Sequence, residues 1–251
     1  MLTSERKALI QETLRQDGRL VAKDFSQQLG VSEDTIRRDL RELAAEGLLQ
    51  RVHGGALPAS PAVVDYESRE RVGSSVKARL GQAAARLIQP GQIVFLDGGT
   101  TNMQLARHLP QDLKAIVITH SPSIAMELAR HPSVEVELIG GRLFKHSVVA
   151  VGAVCAEAIS RIRADVFFMG ATGLHPQTGV TTGDREEAAI KHLIARQSAE
   201  TIILATHEKM GAASPYRIMP LADVGTIVTV AGLSGELLHS IESSGVTVLE
   251  V

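Results

Sequence analysis

A short cluster of basic residues stands out in the N-terminal part of the chain. Arg37, Arg38 and Arg41 lie within five residues, and Arg51 follows shortly after. An arginine can form two hydrogen bonds with a guanine edge in the major groove, and further arginines can neutralise phosphates. Residues 1–57 contain nine Lys/Arg and nine Asp/Glu, so attraction for DNA must come from such a local cluster. We predict base contacts from Thr35 and Arg38, and phosphate contacts from Arg37, Arg41, Arg51 and, more weakly, His53.

The same cluster has a second interpretation. Asp34, Asp39 and Glu42 are interleaved with the arginines, and on a helix such neighbours can form ion pairs. The run would then be an ordinary solvated helix face. Charge alone favours this interpretation, so the order of the surrounding elements has to decide.

A second set of residues has the types needed to hold a phosphate. The segment FLDGGTTNMQLARHL runs from an apolar strand through a glycine turn into a predicted helix. Small residues let backbone N–H groups approach a ligand, and the helix start carries partial positive charge. The turn taken alone equally fits an ordinary strand-to-helix connection. As a phosphate site, it predicts contacts from Asp97, Gly98, Gly99, Thr100 and Thr101.

Polar residues also follow several later strands, in the segments VITHSPSIAMELA, ELIGGRLFKHSVVAVG and ATHEKMG. Ligand sites in α/β sheets gather at the carboxyl ends of the strands, and a lysine there can bring a cation to a phosphate. We therefore predict further ligand contacts from Thr119, His120, Ser121, Gly141, Lys145 and Lys209.

The elements around the arginine cluster predict a small DNA-binding domain. Helical periodicity indicates three helices, at about 3–16, 22–29 and 33–46. Ser32 suits the N-cap of the third helix, and Ile36, Leu40 and Leu43 share a face that must be buried. LLQRVHGGAL, with its Gly-Gly turn, is typical of a short hairpin. Residues 1–57 are therefore predicted to be a winged helix-turn-helix, which places an exposed helix in the major groove.

The rest of the chain predicts a connecting segment followed by a larger α/β domain. Residues 58–75 show no sustained period, and residues 76–251 begin with a helix at about 76–88. Apolar strands alternating with helices indicate a mostly parallel sheet covered on both faces. The predicted strands are Ile93–Asp97, Ala115–Thr119, Val134–Ile139, Val166–Gly170, Thr201–Ala205, Thr226–Val230 and Val246–Leu249.

Composition excludes several classes of protein. The net charge is −2, Trp is absent and only seven residues are Phe or Tyr, which disfavours a binder of single strands that stacks bases on aromatic rings. There is no apolar run long enough for a bilayer, and Cys155 has no partner for an internal disulfide. We therefore expect a cytoplasmic protein with no membrane partner, and a buried, inert thiol at Cys155.

No cofactor or metal site is predicted. The nine histidines are scattered, and His207-Glu208 lacks the second histidine of a zinc-binding H-E-x-x-H helix. We expect the following histidines to be surface or loop residues: His120, His146, His175 and His192.

The stretch AKDFSQQLGVSEDTIRRDLRELAAEG and its sequel GLLQRVHGGA closely resemble the helix-turn-helix of the DeoR family of bacterial regulators. The resemblance extends over nearly the whole chain. It implies a C-terminal sensor domain similar to sugar-phosphate isomerases. It also implies repression of sugar or polyol catabolism genes until a phosphorylated intermediate binds, with double-stranded operator DNA as the partner.

The resemblance also matches individual site residues. The family's Asp-Ser-Gly-Thr-Thr pattern corresponds to the segment from Asp97 to Thr101, with Gly98 in place of serine. Its Thr-Asn-Ser pattern has His120 in place of asparagine, and its Ser-Lys-Phe-Gly segment has Glu208 in place of serine. Its Glu-x-x-x-Lys pattern corresponds to Glu187 and Lys191. The three substitutions leave the ligand's identity open, and Glu208 would repel a phosphate if it pointed inward.

An isomerase-like domain also allows a rival prediction, a sugar-phosphate isomerase with an added DNA-binding segment. Isomerisation needs a base and an electrophile in one crevice, and the candidates for those roles are Asp97, Asp184, Glu187 and Lys209. No spacing enforces such roles, so we predict a regulator with no catalytic residues. One small DNA-binding domain rarely gives enough sequence specificity. This predicts a homo-oligomer, a dimer or a tetramer, that binds repeated half-sites.

Overall fold

The computed structural model describes residues 1–17, 19–59 and 66–251. The helices are α1 (Thr3–Asp17), α2 (Ala22–Leu29), α3 (Glu33–Ala45), α4 (Tyr66–Arg71), α5 (Ser74–Ala85), α6 (Thr100–Arg107), α7 (Pro122–Leu128), α8 (Ala153–Ser160), α9 (Arg185–Arg196) and α10 (Gly235–Glu242). The strands are β1 (Leu20–Val21), β2 (Leu49–Val52), β3 (Gly55–Pro58), β4 (Ile93–Leu96), β5 (Ile116–Thr119), β6 (Glu135–Leu138), β7 (Arg142–Phe144), β8 (Val149–Val151), β9 (Ala164–Met169), β10 (Gly173–His175), β11 (Gly179–Thr182), β12 (Ser198–Ala205), β13 (Tyr216–Met219), β14 (Thr226–Thr229) and β15 (Thr247–Glu250).

The N-terminal domain packs three helices and a small sheet around one core. The predicted apolar face of α3 is buried with Ile10 of α1 and Phe25 of α2. The helix begins where predicted, because the Ser32 hydroxyl accepts a hydrogen bond from the Thr35 N–H at 3.2 Å. β2 and β3 form the predicted hairpin, and β1 pairs antiparallel with β3. The predicted winged helix-turn-helix is confirmed, with a third strand too short to show a period in the sequence.

A buried ion pair fixes α3 against α1. Asp39 is 1% exposed and bonds to both edge nitrogens of the Arg6 guanidinium, with Nη2 donating to Oδ1 at 3.0 Å. The expectation that Asp39 pairs with arginines of its own helix is wrong. The cause is its place on the helix, since it lies on the side that packs toward α1.

The C-terminal domain is built on a seven-stranded parallel sheet in the order β15-β14-β12-β9-β4-β5-β6. All seven predicted strands belong to it. Side chains alternate across it: Val94 and Leu96 of β4 pack with α5, α6 and α7, whereas Phe95 packs with α8, α9 and α10. Burial on both faces explains the apolar runs of the five inner strands, whereas the edge strands β6 and β15 are largely exposed, and the predicted α/β fold is confirmed.

Three features of the C-terminal part differ from the prediction. β7 pairs with β8, and β10, β11 and β13 form a separate small sheet. These strands have three or four residues each, too few to give a clear period. The predicted connecting segment, 58–75, contains α4 and the start of α5. Residues 60–65 lie outside the described residues, so the domain boundary stays a prediction.

Across the described ranges, no helix is both long enough and apolar enough to cross a membrane.

Candidate functional site

The outward face of α3 presents arginines to solvent. Arg38 and Arg41 are exposed, and neither forms an ion pair with any residue that the structure describes. Arg37 differs, because its Nη2 lies 2.6 Å from Oε1 of Glu33 one turn earlier. Glu42 is engaged by Lys7 of α1 at 3.1 Å. The solvated-face interpretation therefore accounts for Arg37 but leaves two arginines available for another partner.

The hairpin that follows α3 carries the remaining predicted DNA contacts. Arg51 and His53 are exposed on it. At Gly55 a Cβ would lie 1.8 Å from the Leu20 carbonyl oxygen, because β1 passes directly beneath the hairpin. Only glycine allows this close packing, which fixes the hairpin relative to the helices. Thr35 lies at the start of α3, where its hydroxyl is 2.8 Å from that of Ser32.

A cleft opens at the carboxyl ends of β4, β9 and β12 in the C-terminal domain. Its empty volume, which includes open solvent at its mouth, is about 850 Å³. The turn after β4 and the first turn of α6 form one wall: Gly98, Gly99, Thr100, Thr101 and Asn102. Gly99, with φ of +113°, precedes α6 and provides no side-chain cap. The first N–H groups of α6 therefore lack intrahelical acceptors and lie at the cleft.

One hydroxyl in this wall has no protein partner. Thr101 is 5% exposed, and its Oγ1 makes no hydrogen bond with any described residue. A buried hydroxyl without a partner costs free energy. Such a hydroxyl is therefore usual only where a ligand or water completes the hydrogen bond. The neighbouring Asn102 differs, because its Nδ2 donates to the Asp97 and Phe168 carbonyl oxygens at 3.0 Å each. Asn102 thus holds the turn, whereas the Thr101 hydroxyl has no partner among the described residues.

Besides Lys191 of α9, three basic residues line the same cleft. Lys209 follows β12, Lys77 belongs to α5 and Arg69 belongs to α4. Burial is the main reason that the pKa of Lys77 is lowered and that of Lys209 falls to about 8, and the charge of Arg69 lowers both. Protonated Lys77 and Lys209 are therefore destabilised where they stand. An anion placed between them would reverse this effect.

Glu208, which also lines the cleft near these lysines, has a partner of its own. Glu208 is exposed at the cleft, and its Oε1 accepts a hydrogen bond from the Thr206 hydroxyl at 2.6 Å. This bond holds the carboxylate at the turn after β12. The negative charge of Glu208 raises the pKa of Lys209 and so partly offsets the effect of burial.

Beneath the cleft lies a buried network of four ionisable groups. Asp97, His120, Glu187 and Lys191 are each less than 5% exposed. The Lys191 ammonium lies 3.1 Å from carboxylate oxygens of both Asp97 and Glu187. The Nε2 of His120 is 2.7 Å from Oδ1 of Asp97. With all four ionised the network is electrically neutral, which is the condition for burying charges at tolerable cost.

The protonation of this network follows from its hydrogen bonds. The Nδ1 of His120 lies 2.8 Å from the Ala150 carbonyl oxygen, which can only accept, so Nδ1 carries a proton. Burial alone would lower the pKa of His120, but the bond to Asp97 outweighs it and raises the pKa to about 9. Burial alone would raise the pKa of Asp97, but Lys191 and His120 lower it to about 2. His120 is therefore an imidazolium at neutral pH, donating from both nitrogens.

Stability should fall as the pH rises through the titration of His120. Its stabilisation is complete below its ordinary value of 6.5 and is lost as the pH rises through about 9. Replacing it with asparagine, which can donate to Asp97 without titrating, should remove up to about 3 kcal/mol of this pH dependence. Urea unfolding of wild type and His120→Asn across that pH range measures the difference. The comparison also cancels Lys209, whose lowered pKa acts in the opposite sense above pH 8. An equal pH dependence of stability in the two proteins would contradict the assignment of His120 as a buried imidazolium.

The structure brings together some predicted ligand contacts and separates others. Those that line the cleft are Gly98, Gly99, Thr100, Thr101 and Lys209. Gly141 and Lys145 do not line it. A Cβ at Gly141 would lie 2.8 Å from the Val151 carbonyl oxygen, so this glycine serves the close pairing of β7 with β8.

The other predicted contacts lie behind the cleft wall, where they support it. Asp97, Thr119, His120 and Ser121 are 0% exposed. The Thr119 hydroxyl donates to the Leu96 carbonyl at 2.6 Å, and the Ser121 hydroxyl to the Val148 carbonyl at 3.2 Å. His120 lies in the loop between β5 and α7, as one of the two predicted alternatives had it, but it is buried there because it bonds to Asp97. The predicted burial of Cys155 is confirmed.

Arg69 and Lys77 were not predicted as site residues. Both lie near the predicted connecting segment, far in sequence from the glycine turn, and neither stands at the end of a strand. Their only sequence signal is a positive charge close to that segment. Among the described residues, no group of three or more His, Cys, Asp or Glu is placed to hold a metal ion.

Comparisons with known protein families match both parts of the chain. The DeoR C terminal sensor domain matches residues 73–230, and the DeoR-like helix-turn-helix domain matches residues 6–61. The HTH-type transcriptional regulator GlpR of Haloferax volcanii is 36% identical, covering 100% of this chain and 98% of its own length. The Putative aga operon transcriptional repressor of Escherichia coli O157:H7 is 30% identical, with 99% and 94% covered.

Among solved structures, the full-length sorbitol operon regulator SorC from Klebsiella pneumoniae is 14% identical with a TM-score of 0.37, covering 84% of this chain and 91% of its own. At that level of similarity the match carries no argument about function.

Proposed function

The chain belongs to the DeoR family of transcription regulators, and on that premise we propose that it represses carbohydrate catabolism genes and is released by a phosphorylated sugar or polyol. In this proposal α3 and the hairpin β2–β3 contact operator DNA, and the cleft beside α6 holds the effector. Two or more copies act together, so that a change in their relative placement breaks the fit to repeated half-sites.

One observation carries the effector assignment: three kinds of donor without a full set of acceptors converge on one cleft. These are the first N–H groups of α6, the Thr101 hydroxyl, and the ammonium groups of Lys77 and Lys209. A phosphate offers several acceptor oxygens and negative charge, which suits all three. Hydrogen bonds to a charged group contribute about 1.5–3 kcal/mol each. Two or three of them reach the roughly 5.5 kcal/mol of differential affinity that a full switch requires.

The remainder of the cleft suits a small hydroxylated body. Ser147 and Thr172 add hydroxyl groups to its lining, and Glu187 adds a carboxylate oxygen. Hydroxyl and carboxylate groups can exchange hydrogen bonds with sugar or polyol hydroxyls. This supports a phosphorylated sugar or polyol over a purely inorganic anion.

Two of the candidate bases for the rival function, sugar-phosphate isomerisation, are engaged by other groups. Asp97 has a pKa of about 2 and is held by Lys191, His120 and the Gly170 N–H. The Asp184 carboxylate caps α9 by accepting from two backbone N–H groups at 2.9 Å. A general base works best with a pKa near the operating pH, which Asp97 does not meet. Conversion of aldose to ketose phosphates by the purified protein at enzymatic rates would overturn the proposal.

Replacing Thr101 with valine should lower the affinity for the effector and leave operator binding intact. The exchange keeps the shape of the side chain and removes a hydroxyl without a protein partner, so the unliganded fold should lose no stability. If the hydroxyl bonds a phosphate oxygen, effector affinity should fall roughly tenfold or more. A screen of phosphorylated sugars by melting temperature and by release of operator DNA measures both effects.

A matched control exists for this variant. Thr229 also has a fully buried hydroxyl with no described partner, but it lies on β14 and does not line the cleft. Thr229→Val should therefore respond to the effector as wild type does. Equal responses from Thr101→Val and Thr229→Val would contradict the assignment of the cleft wall.

A further inference from the structure

The wall of the cleft opposite α6 is formed by the chain that joins the two domains. The N-terminal domain reaches the C-terminal one at Pro58, whose carbonyl accepts from the Ala213 N–H at 3.5 Å. The next described element is α4, and from α4 to α5 the chain runs along the cleft, where Arg69, Val72 and Lys77 line it. We propose that α4 is a strap which the effector locks onto the C-terminal domain, so that the occupied cleft restrains the tether of the DNA-binding domain. This inference rests on the proposed function of the cleft.

The described contacts of α4 with the rest of the protein include three polar ones. The Arg69 Nη2 donates to the His146 carbonyl oxygen at 2.8 Å, and Glu70 pairs with Arg107 of α6 at 3.4 Å. Lys77 donates to the Arg69 carbonyl oxygen. None of the α4 side chains that the structure describes is fully buried. The Glu70–Arg107 pair is exposed and contributes little to stability, so an anion in the cleft can add to the docking of α4.

The charges around the cleft make that dependence strong. Arg69 of the strap approaches Lys77 and Lys209 closely enough for its charge to influence both. Without an anion, these like charges oppose the docking of α4. A phosphate between them changes repulsion into attraction, because its oxygens can accept from strap and core at once.

Docking of α4 also has a geometric consequence. Only residues 60–65 lie between Ala59, where the description of the N-terminal domain ends, and Tyr66, where α4 begins. Fixing Tyr66 on the C-terminal domain therefore limits the positions that the N-terminal domain can reach. Two copies held on repeated half-sites would have to satisfy this limit together.

Amide hydrogen exchange of the full-length protein, with and without inorganic phosphate, tests the strap. We expect phosphate to slow exchange across residues 66–77 over the same concentrations that raise the melting temperature. Glu70→Gln removes a docking ion pair outside the cleft, so it should weaken phosphate binding by about two- to fivefold without altering operator binding in the absence of phosphate. Glu157→Gln, which removes an exposed pair between α8 and Arg161 just after it, serves as the control and should bind phosphate as wild type does.

The outcomes separate the two proposals. If phosphate raises the melting temperature but exchange across α4 is unchanged, or if Glu70→Gln binds phosphate as tightly as Glu157→Gln, the strap is overturned and the cleft keeps its proposed role. If phosphate binds nowhere on the protein, both the effector site and the strap that depends on it are overturned.

Discussion

Replacing Arg38 with alanine is expected to lower operator affinity by about 5- to 150-fold for each bound reader helix, corresponding to about 1–3 kcal/mol. Arg38 is exposed on α3 and has no ion-pair partner among the described residues, so its five donors are free for a guanine edge. The side chain takes no part in the core, so fold and oligomeric state should not change. The loss should also relax the preference at one base pair, because a base contact carries sequence information.

Fluorescence anisotropy with an operator obtained by in vitro selection measures this effect. Arg37→Ala provides the contrast, because Arg37 already pairs with Glu33 and is predicted to contact phosphate. Its loss should lower the affinity for all DNA sequences nearly equally. It should also reduce the slope of the salt dependence of binding by about one. Arg161→Ala, the same chemical change just after α8, should have no effect. An unchanged base preference in Arg38→Ala would show that another residue reads the operator.

Lys191→Met is expected to destabilise the C-terminal domain by about 3–5 kcal/mol, because it leaves two buried carboxylates with only His120 as a countercharge. For a domain of this size that corresponds to a fall in melting temperature of about 6–20 °C. The loss of stability should become smaller as the pH falls. Lys191 lowers the pKa of both Asp97 and Glu187, so without it both carboxyls protonate more readily and the excess charge disappears.

Thermal and urea unfolding of the variant across acidic pH provide the measurement. Lys114→Met makes the same change at an exposed lysine and should shift stability by less than about 0.5 kcal/mol. A Lys191→Met protein as stable as Lys114→Met but unresponsive to the effector would mean that Lys191 acts as a ligand contact. The structural role assigned to the buried network would then be wrong.

Local patterns predicted the architecture well. The inner strands of the sheet were visible because a strand buried on both faces is mostly apolar, as in IVFL and TIVT, whereas the edge strands β6 and β15 are largely exposed and carry two polar residues each. The three N-terminal helices were visible because Ser32 and the spacing of Ile36, Leu40 and Leu43 are local signals. The resemblance to the DeoR family, based on those same segments, is confirmed.

Local patterns failed where a residue's role depends on a distant partner. Arg69 and Lys77 look like solvated charges in the sequence, and only the packing of α4 and α5 against α6 brings them to the glycine turn. His120 looks like a loop residue, and only the approach of Asp97 makes it a buried cation.

By itself, therefore, the sequence determined the two folds, the family and the glycine turn at the start of α6, because periodicity, capping and turn chemistry act within a few residues. The tertiary structure alone decided which charges are buried, which arginines on α3 remain without an ion pair, and which cations surround the cleft. Those properties depend on distances between residues far apart in the chain, and no local pattern encodes them.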